Sequence, residues 1–217
     1  MLEKLPEVIG KALEDVRAGL ARTLFHGVDL GQGMAALTLG SLAFADHAPL
    51  PQKYTADGPG VSPPLQWQGV PAAAAEVVLI VEDADSPTAL PVVHAIAHGL
   101  IGSDAGDGAL AEGALSESDG SPPLVAMGLN SLLRARWLPP DPPPGHGVHR
   151  YVFQVFALGP GSPLPDSPGR DALRSAVAER GLASGCLIGT YERPSGHIPE
   201  PLAQSLPGIP TMAVPGG

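Results

Sequence analysis

The chain has a single cysteine, Cys186, among 217 residues, so no intrachain disulfide can form. Cys186 falls in an apolar run of strand length, where an unpaired thiol ordinarily serves as a small buried hydrophobe. Cations are scarce as well: 12 Lys and Arg face 22 Asp and Glu, a net charge of −10. That balance argues against non-specific nucleic-acid binding, which needs clustered cations to displace counterions. It argues equally against broad electrostatic attachment to anionic lipid. No apolar window is long enough to span a bilayer. Glu3, Lys4 and Glu7 come early, and no apolar core of a secretory signal follows them. The expected compartment is the cytoplasm.

Catalytic and cofactor signatures are also missing. There is no Gly-x-Ser-x-Gly elbow, phosphate loop, dinucleotide glycine fingerprint or Cys-x-x-Cys pair. His94 and His98 stand four apart in a predicted strand, hence on one face, but a zinc site needs further ligands and tighter spacing. Neither metal nor cofactor is expected.

What is abundant is Gly and Pro, 28 and 26 residues, set between apolar runs as turn chemistry. Residues 2 to about 26 carry a helical stripe of Leu5, Val8, Ile9, Ala12, Leu13, Val16, Leu20 and Leu24. Gly10 and Gly19 each weaken that helix by about 1 kcal/mol. The stripe must pack on the body of the domain or on a second copy of the chain, which makes a homodimer one expectation. From Ala35 onward, short apolar runs bounded by Pro, Gly and Asp predict an all-β sandwich. The candidate strands are Leu37–Phe44, Leu65–Trp67, Glu76–Glu82, Val92–Leu100, Leu124–Leu129, Val148–Leu158 and Leu182–Tyr191. Val77 to Val81 is apolar on both faces and should be central. Arg170–Arg180 has helical spacing, with Gly181 at the position that ends a helix. The polar stretch 102–121 reads as a long loop. The predicted organisation is a helical extension over 1–34, a β domain over 35–193 and a Pro/Gly-rich tail over 194–217, extended or disordered.

Two clusters could carry chemistry. Asp83 and Asp85 follow the central strand and project to one side if the strand continues through them. Such close carboxylates need donors or cations nearby. The plainer reading is a strand-end turn, with Asp starting it and Pro fixing it. The run Pro142 to Tyr151 is a rigid turn entering a strand, with His149 and Tyr151 on one face and Arg150 on the other. Its glycines can bring backbone N–H groups close to a ligand, and imidazole and phenol are suitable partners for a phosphate oxygen.

Six segments, in order, resemble the phosphatidylethanolamine-binding-protein family, in particular its bacterial, Raf-kinase-inhibitor-like branch. They are Lys53 to Gly58 with Ser62 to Trp67; Asp83-Ala84-Asp85-Ser86-Pro87; His94; Gly128-Leu129-Asn130-Ser131; Pro142 to Tyr151; and Gly189 to Arg193. The resemblance covers about Phe44 to Arg193. It implies a sandwich of two antiparallel sheets with a small anion-binding pocket lined by Asp83, Asp85, His94, His149 and Tyr151. It supports a cis Ser86–Pro87 bond in the turn. The sequence departs from the family at Ala84, Ala95, Trp137 and Pro139, positions expected at the pocket rim. The function so implied is non-enzymatic binding of a small phosphate- or carboxylate-bearing anion. The family label adds kinase or protease inhibition through an unnamed protein partner. Two alternatives stand beside it: an enzyme using the Asp/His pocket for general acid–base chemistry, and an interaction protein acting through the N-terminal helix.

Overall fold

The apolar run from Val77 to Val81 is buried on both faces, and the rest of the chain is arranged around it. The computed structural model describes residues 6–28, 34–100, 107–117 and 120–193. In chain order the strands are β1 (Ala35–Ala36), β2 (Thr38–Gly40), β3 (Ala48–Pro49), β4 (Leu65–Gln68), β5 (Glu76–Asp83), β6 (Val92–Leu100), β7 (Gly108–Leu110), β8 (His149–Leu158) and β9 (Gly181–Tyr191). The helices are α1 (Glu7–Ala12), α2 (Leu24–Gly27) and α3 (Arg170–Arg180). The large sheet runs β1-β9-β8-β5-β6, and the small one β2-β4-β7. The long strands and the small sheet pair antiparallel; β1 and β3 join β9 in parallel.

Alternation along β5 and β8 creates the two cores. Val77, Leu79, Val81, Phe153 and Val155 face the small sheet, where Leu39, Leu65 and Trp67 meet them. Val78, Ile80, Phe156 and Leu158 face the other way, onto Leu24 and the Leu173–Val177 stripe of α3. Helix α3 spans the range its spacing predicts. Its final Gly181 is extended, with φ −65°, rather than left-handed. Glycine is needed there because a Cβ would come within 2.6 Å of the Val177 carbonyl.

The N-terminal segment departs from its periodicity. Over the described part, from residue 6, the expected single helix of 2–26 is replaced by α1, a 3-10 turn at Leu20–Arg22 and the short α2, while Val8 and Val16 are exposed; residues 2–5 lie outside the described residues. The cause is competition for backbone donors. Ala18 and Gly19 donate their N–H groups to the Ser86 and Ala84 carbonyls. Leu24 N–H bonds Glu82 Oε2 (2.6 Å) and Phe25 N–H bonds Gln154 Oε1 (2.6 Å). These long-range bonds replace helical ones, and Gly19, at φ 92°, makes the break. Further along, Leu124–Leu129 forms no strand, only a single bridge from Met127 to Ala97. The polar stretch contributes β7, while 101–106 and 118–119 lie outside the described residues, as does the tail from 194.

Glu82 is fully buried and holds this arrangement together. It accepts from Leu24, from Gln154 Nε2 (2.9 Å) and from Arg170 Nε (2.7 Å), while Arg170 Nη2 donates to the Arg22 carbonyl. Removing one member of a buried pair leaves the other charge uncompensated. Glu82→Ala should therefore cost about 3 kcal/mol of unfolding free energy in urea titrations; a loss below about 1 kcal/mol would mean that the cluster does not anchor the N-terminal segment.

Candidate functional site

Asp83 is the last residue of β5, paired in register with Tyr151 of β8. Both of its carboxylate oxygens are engaged. Oδ1 accepts the Asp85 N–H (2.8 Å), and Oδ2 lies 2.7 Å from His149 Nδ1. A carboxylate oxygen here can only accept, so His149 Nδ1 carries the proton. The other ring nitrogen, Nε2, lies 2.7 Å from His146 Nδ1. One of those two nitrogens donates to the other, giving a continuous chain from Asp83 through His149 to His146. The His146 ring is placed by a turn in which Gly145 and Gly147 take φ of 77° and 86°, conformations costly for other residues. Burial, then the neighbouring His149, lowers the His146 pKa; the Leu13 and Val16 carbonyls oppose the shift.

His94 reaches the site through an irregularity in β6. Ala95 pairs with Val81 and Val93 with Glu82, so His94 is an extra residue with no partner in β5. Such a bulge re-aims a side chain. His94 therefore turns toward Tyr151, with ring centroids 5.1 Å apart. His98, expected on the same face, instead reaches the Asp166 carbonyl before α3 (3.3 Å). His94 Nδ1 lies 2.6 Å from the Leu138 carbonyl, which fixes the proton on Nδ1 and leaves a lone pair on Nε2. Burial lowers the His94 pKa, against the pull of Asp83 and the Leu138 carbonyl.

Asp83, His94 and His149 form the buried floor of a cavity of about 820 Å³. Leu90, Leu132, Leu133, Pro139 and Pro143 also line it, with Leu133 77% exposed at the mouth. Asp85 and Tyr151 do not line it. The strand ends at Asp83, so Asp85 turns away. It receives Arg150 Nε and Nη2 at 2.7 Å each and the Arg150 N–H at 2.9 Å, with Arg17 at 3.2 Å. Burial pushes its pKa up, but the arginine hydrogen bonds and charges outweigh that and hold it below the usual range. Tyr151 lies fully buried behind the histidines, and burial, then Asp83, raises its pKa well above that of a free phenol.

The expected cis bond is absent: Ser86–Pro87 is trans. Side chains close the turn, with Asp83 Oδ1 catching the Asp85 N–H and Ser86 Oγ donating to the Asp83 carbonyl. Of the positions expected at the rim, Ala84, Ala95 and Trp137 are buried, and only Pro139 lines the cavity. Sequence reasoning passed over His146 and Arg17. Arg17 donates to the His146 and Val148 carbonyls (2.8 and 2.7 Å) as well as pairing with Asp85, so the N-terminal segment braces the site from behind. The only sequence signal for His146 was its place in the turn three residues before His149.

The family model described as phosphatidylethanolamine-binding protein matches residues 40–192. A UPF0098 protein of Mycobacterium bovis is 38% identical over 157 residues, 72% of this chain and 70% of its own length. Among solved structures, a Chlamydia trachomatis homologue of phosphatidylethanolamine-binding proteins is 34% identical. It covers 73% of this chain and 98% of its own, with a TM-score of 0.62. Escherichia coli YbcL, 23% identical over 73% of this chain and 99% of its own, has the same fold with a TM-score of 0.64.

The two buried histidines with depressed pKa values set a pH dependence. Their folded-state values lie below the ordinary 6.5, so the unfolded chain binds more protons at mildly acid pH. Their contribution is intact above about pH 6.5 and is lost as pH falls toward the folded-state values. The urea midpoint should drop between pH 7.5 and 5.5, and His94→Gln should make that drop shallower. An unchanged slope in the variant would show that His94 is not kept neutral by the fold.

Proposed function

Because the chain belongs to the phosphatidylethanolamine-binding-protein family, we propose that it is a non-enzymatic binder of small oxyanions, taken up in a hydrogen-bearing form. The observation that carries this is the Leu138 carbonyl beneath His94, which leaves the His94 Nε2 lone pair unpartnered beside the Asp83 carboxylate. At neutral pH the floor is therefore richer in acceptors than in donors. An anion settles there only if it brings a proton or if His94 gains one, and a phosphate hydroxyl supplies it. The remaining ligand oxygens would face the opposite wall, where Arg170 and the first turn of α3 line the cavity. The Gly169 side of α3 has no side-chain cap, so its initial N–H groups are available to an anion.

A binding role suits the site better than turnover. The hydroxyls in the wall are turned to structural bonds: Ser86 and Thr88 to each other and to backbone carbonyls, and Ser131 to the Val93 N–H. None has an imidazole base beside it, which an activated nucleophile requires.

Phosphate retains a hydroxyl at neutral pH and sulfate does not, so the two anions separate this reading from simple charge attraction. A buried acceptor left unpaired costs about 1–3 kcal/mol. In calorimetric titrations at pH 7.5, phosphate should bind at least about tenfold more tightly than sulfate. His149→Ala should weaken phosphate binding about tenfold, since it removes the group that orders Asp83 and the floor. Equal affinities for the two anions, or unaltered phosphate binding in the variant, would overturn the proposal.

A further inference from the structure

A second hollow of about 300 Å³ lies beside the main cavity and shares Leu90 and Arg170 with it. Its walls come from the N-terminal segment, which contributes Arg22, and from α3, which contributes Arg170 and Arg174. Arg22 lies outside the span matched by the family model, 40–192.

Three guanidinium groups around one small hollow are unusual in a chain of net charge −10. Elsewhere the arginines that rest on the body of the protein do so through carboxylates. Arg17 and Arg150 meet Asp85, Arg180 meets Glu76, and Arg193 meets Asp57 and Asp141. In the hollow, among the described residues, only Arg170 has a close carboxylate, the buried Glu82 (2.7 Å). Arg22 donates to the Ala89 carbonyl, which places the side chain without neutralising it. Arg174 lies 3.9 Å from Asp171 with both side chains largely exposed, a contact that contributes little in water. The hollow thus gathers positive charge in a concave setting, where fields are focused and an anion is favoured. Leu90, 55% exposed, forms the partition between the two hollows and offers an apolar surface rather than a polar one.

We propose that Arg22, Arg170 and Arg174 form a second anion subsite, continuous with the main pocket across Leu90. The ligand class is an extended dianion with one acid group on the histidine floor, an apolar linker over Leu90, and a second phosphate- or carboxylate-like group among the arginines. The proposal builds on the oxyanion reading of the main pocket. It differs in resting on cations that the N-terminal segment and α3 supply together.

The test is calorimetric titration of the full chain with methylphosphonate and with α,ω-alkane bisphosphonates of increasing length. One bisphosphonate length should bind at least tenfold more tightly than methylphosphonate. Arg174→Gln should remove most of that gain and leave methylphosphonate affinity unchanged, and Arg22→Gln should likewise remove most of the gain. A different pattern would separate the two readings. If methylphosphonate binding is insensitive to His149→Ala but abolished by Arg174→Gln, the arginine subsite stands and the floor reading fails. If no length gives a gain, or the gain survives in both arginine variants, the subsite is overturned. Two arginine variants are used because Arg22 also braces the 86–90 loop; Arg174 makes no such contact, so its effect reports the ligand.

Discussion

The hydrogen bond between Asp83 and His149 is the constraint from which the site follows. It joins the end of the central strand to the start of β8, two points 66 residues apart in sequence, at 2.7 Å and with both side chains largely buried. Because Asp83 also accepts the Asp85 N–H, the same carboxylate reverses the chain and fixes the imidazole. The turn cannot move without turning His149, and His149 cannot move without disturbing His146. Rigid placement of this kind is what a small binding site needs from its supporting residues.

The neighbouring carboxylates have opposite duties. Asp83 faces the cavity, whereas Asp85 is enclosed by two arginines, one from β8 and one from the N-terminal segment. A buried carboxylate with a bidentate guanidinium and a backbone donor has little capacity left for a ligand. Its contribution is to bind the strand-end turn to the segment that covers it. Asp85 is thus a brace for the pocket rather than part of its wall.

The central strand and α3 were legible because each buries a complete pattern. Val77 to Val81 has no polar side, and Leu173, Ala176 and Val177 recur at helical spacing, so local periodicity and tertiary burial agree. The N-terminal stripe misled for the opposite reason: its backbone donors find carbonyls and carboxylates far away in sequence, which no periodicity records. The site was legible in composition but not in orientation. Counting in twos put His94 with His98 and Asp83 with Asp85. One extra residue in β6 and an early strand end undid both pairings. Family resemblance brought Asp83, Asp85, His94 and His149 forward together, but only the hydrogen bonds show which nitrogen is bare and which carboxylate is occupied.

The bracing segment has a consequence for how the molecule is made. Its ties run from Leu24 to Glu82, from Arg17 to Val148, from Phe25 to Gln154 and from Arg22 to Arg170, separations of 58 to 148 residues. A ribosome delivers these residues before any of their partners: the ties to Glu82, Ala84 and Ser86 can form early, whereas those to Val148, Gln154 and Arg170 must wait for most of the β domain. Contacts of such long range are also the slowest to close in refolding. The first part of the described chain to emerge is therefore not fully tied down until Arg170 has been made. Until His146 and Val148 have been made, Arg17 has no carbonyls to hold and the back of the pocket stays open.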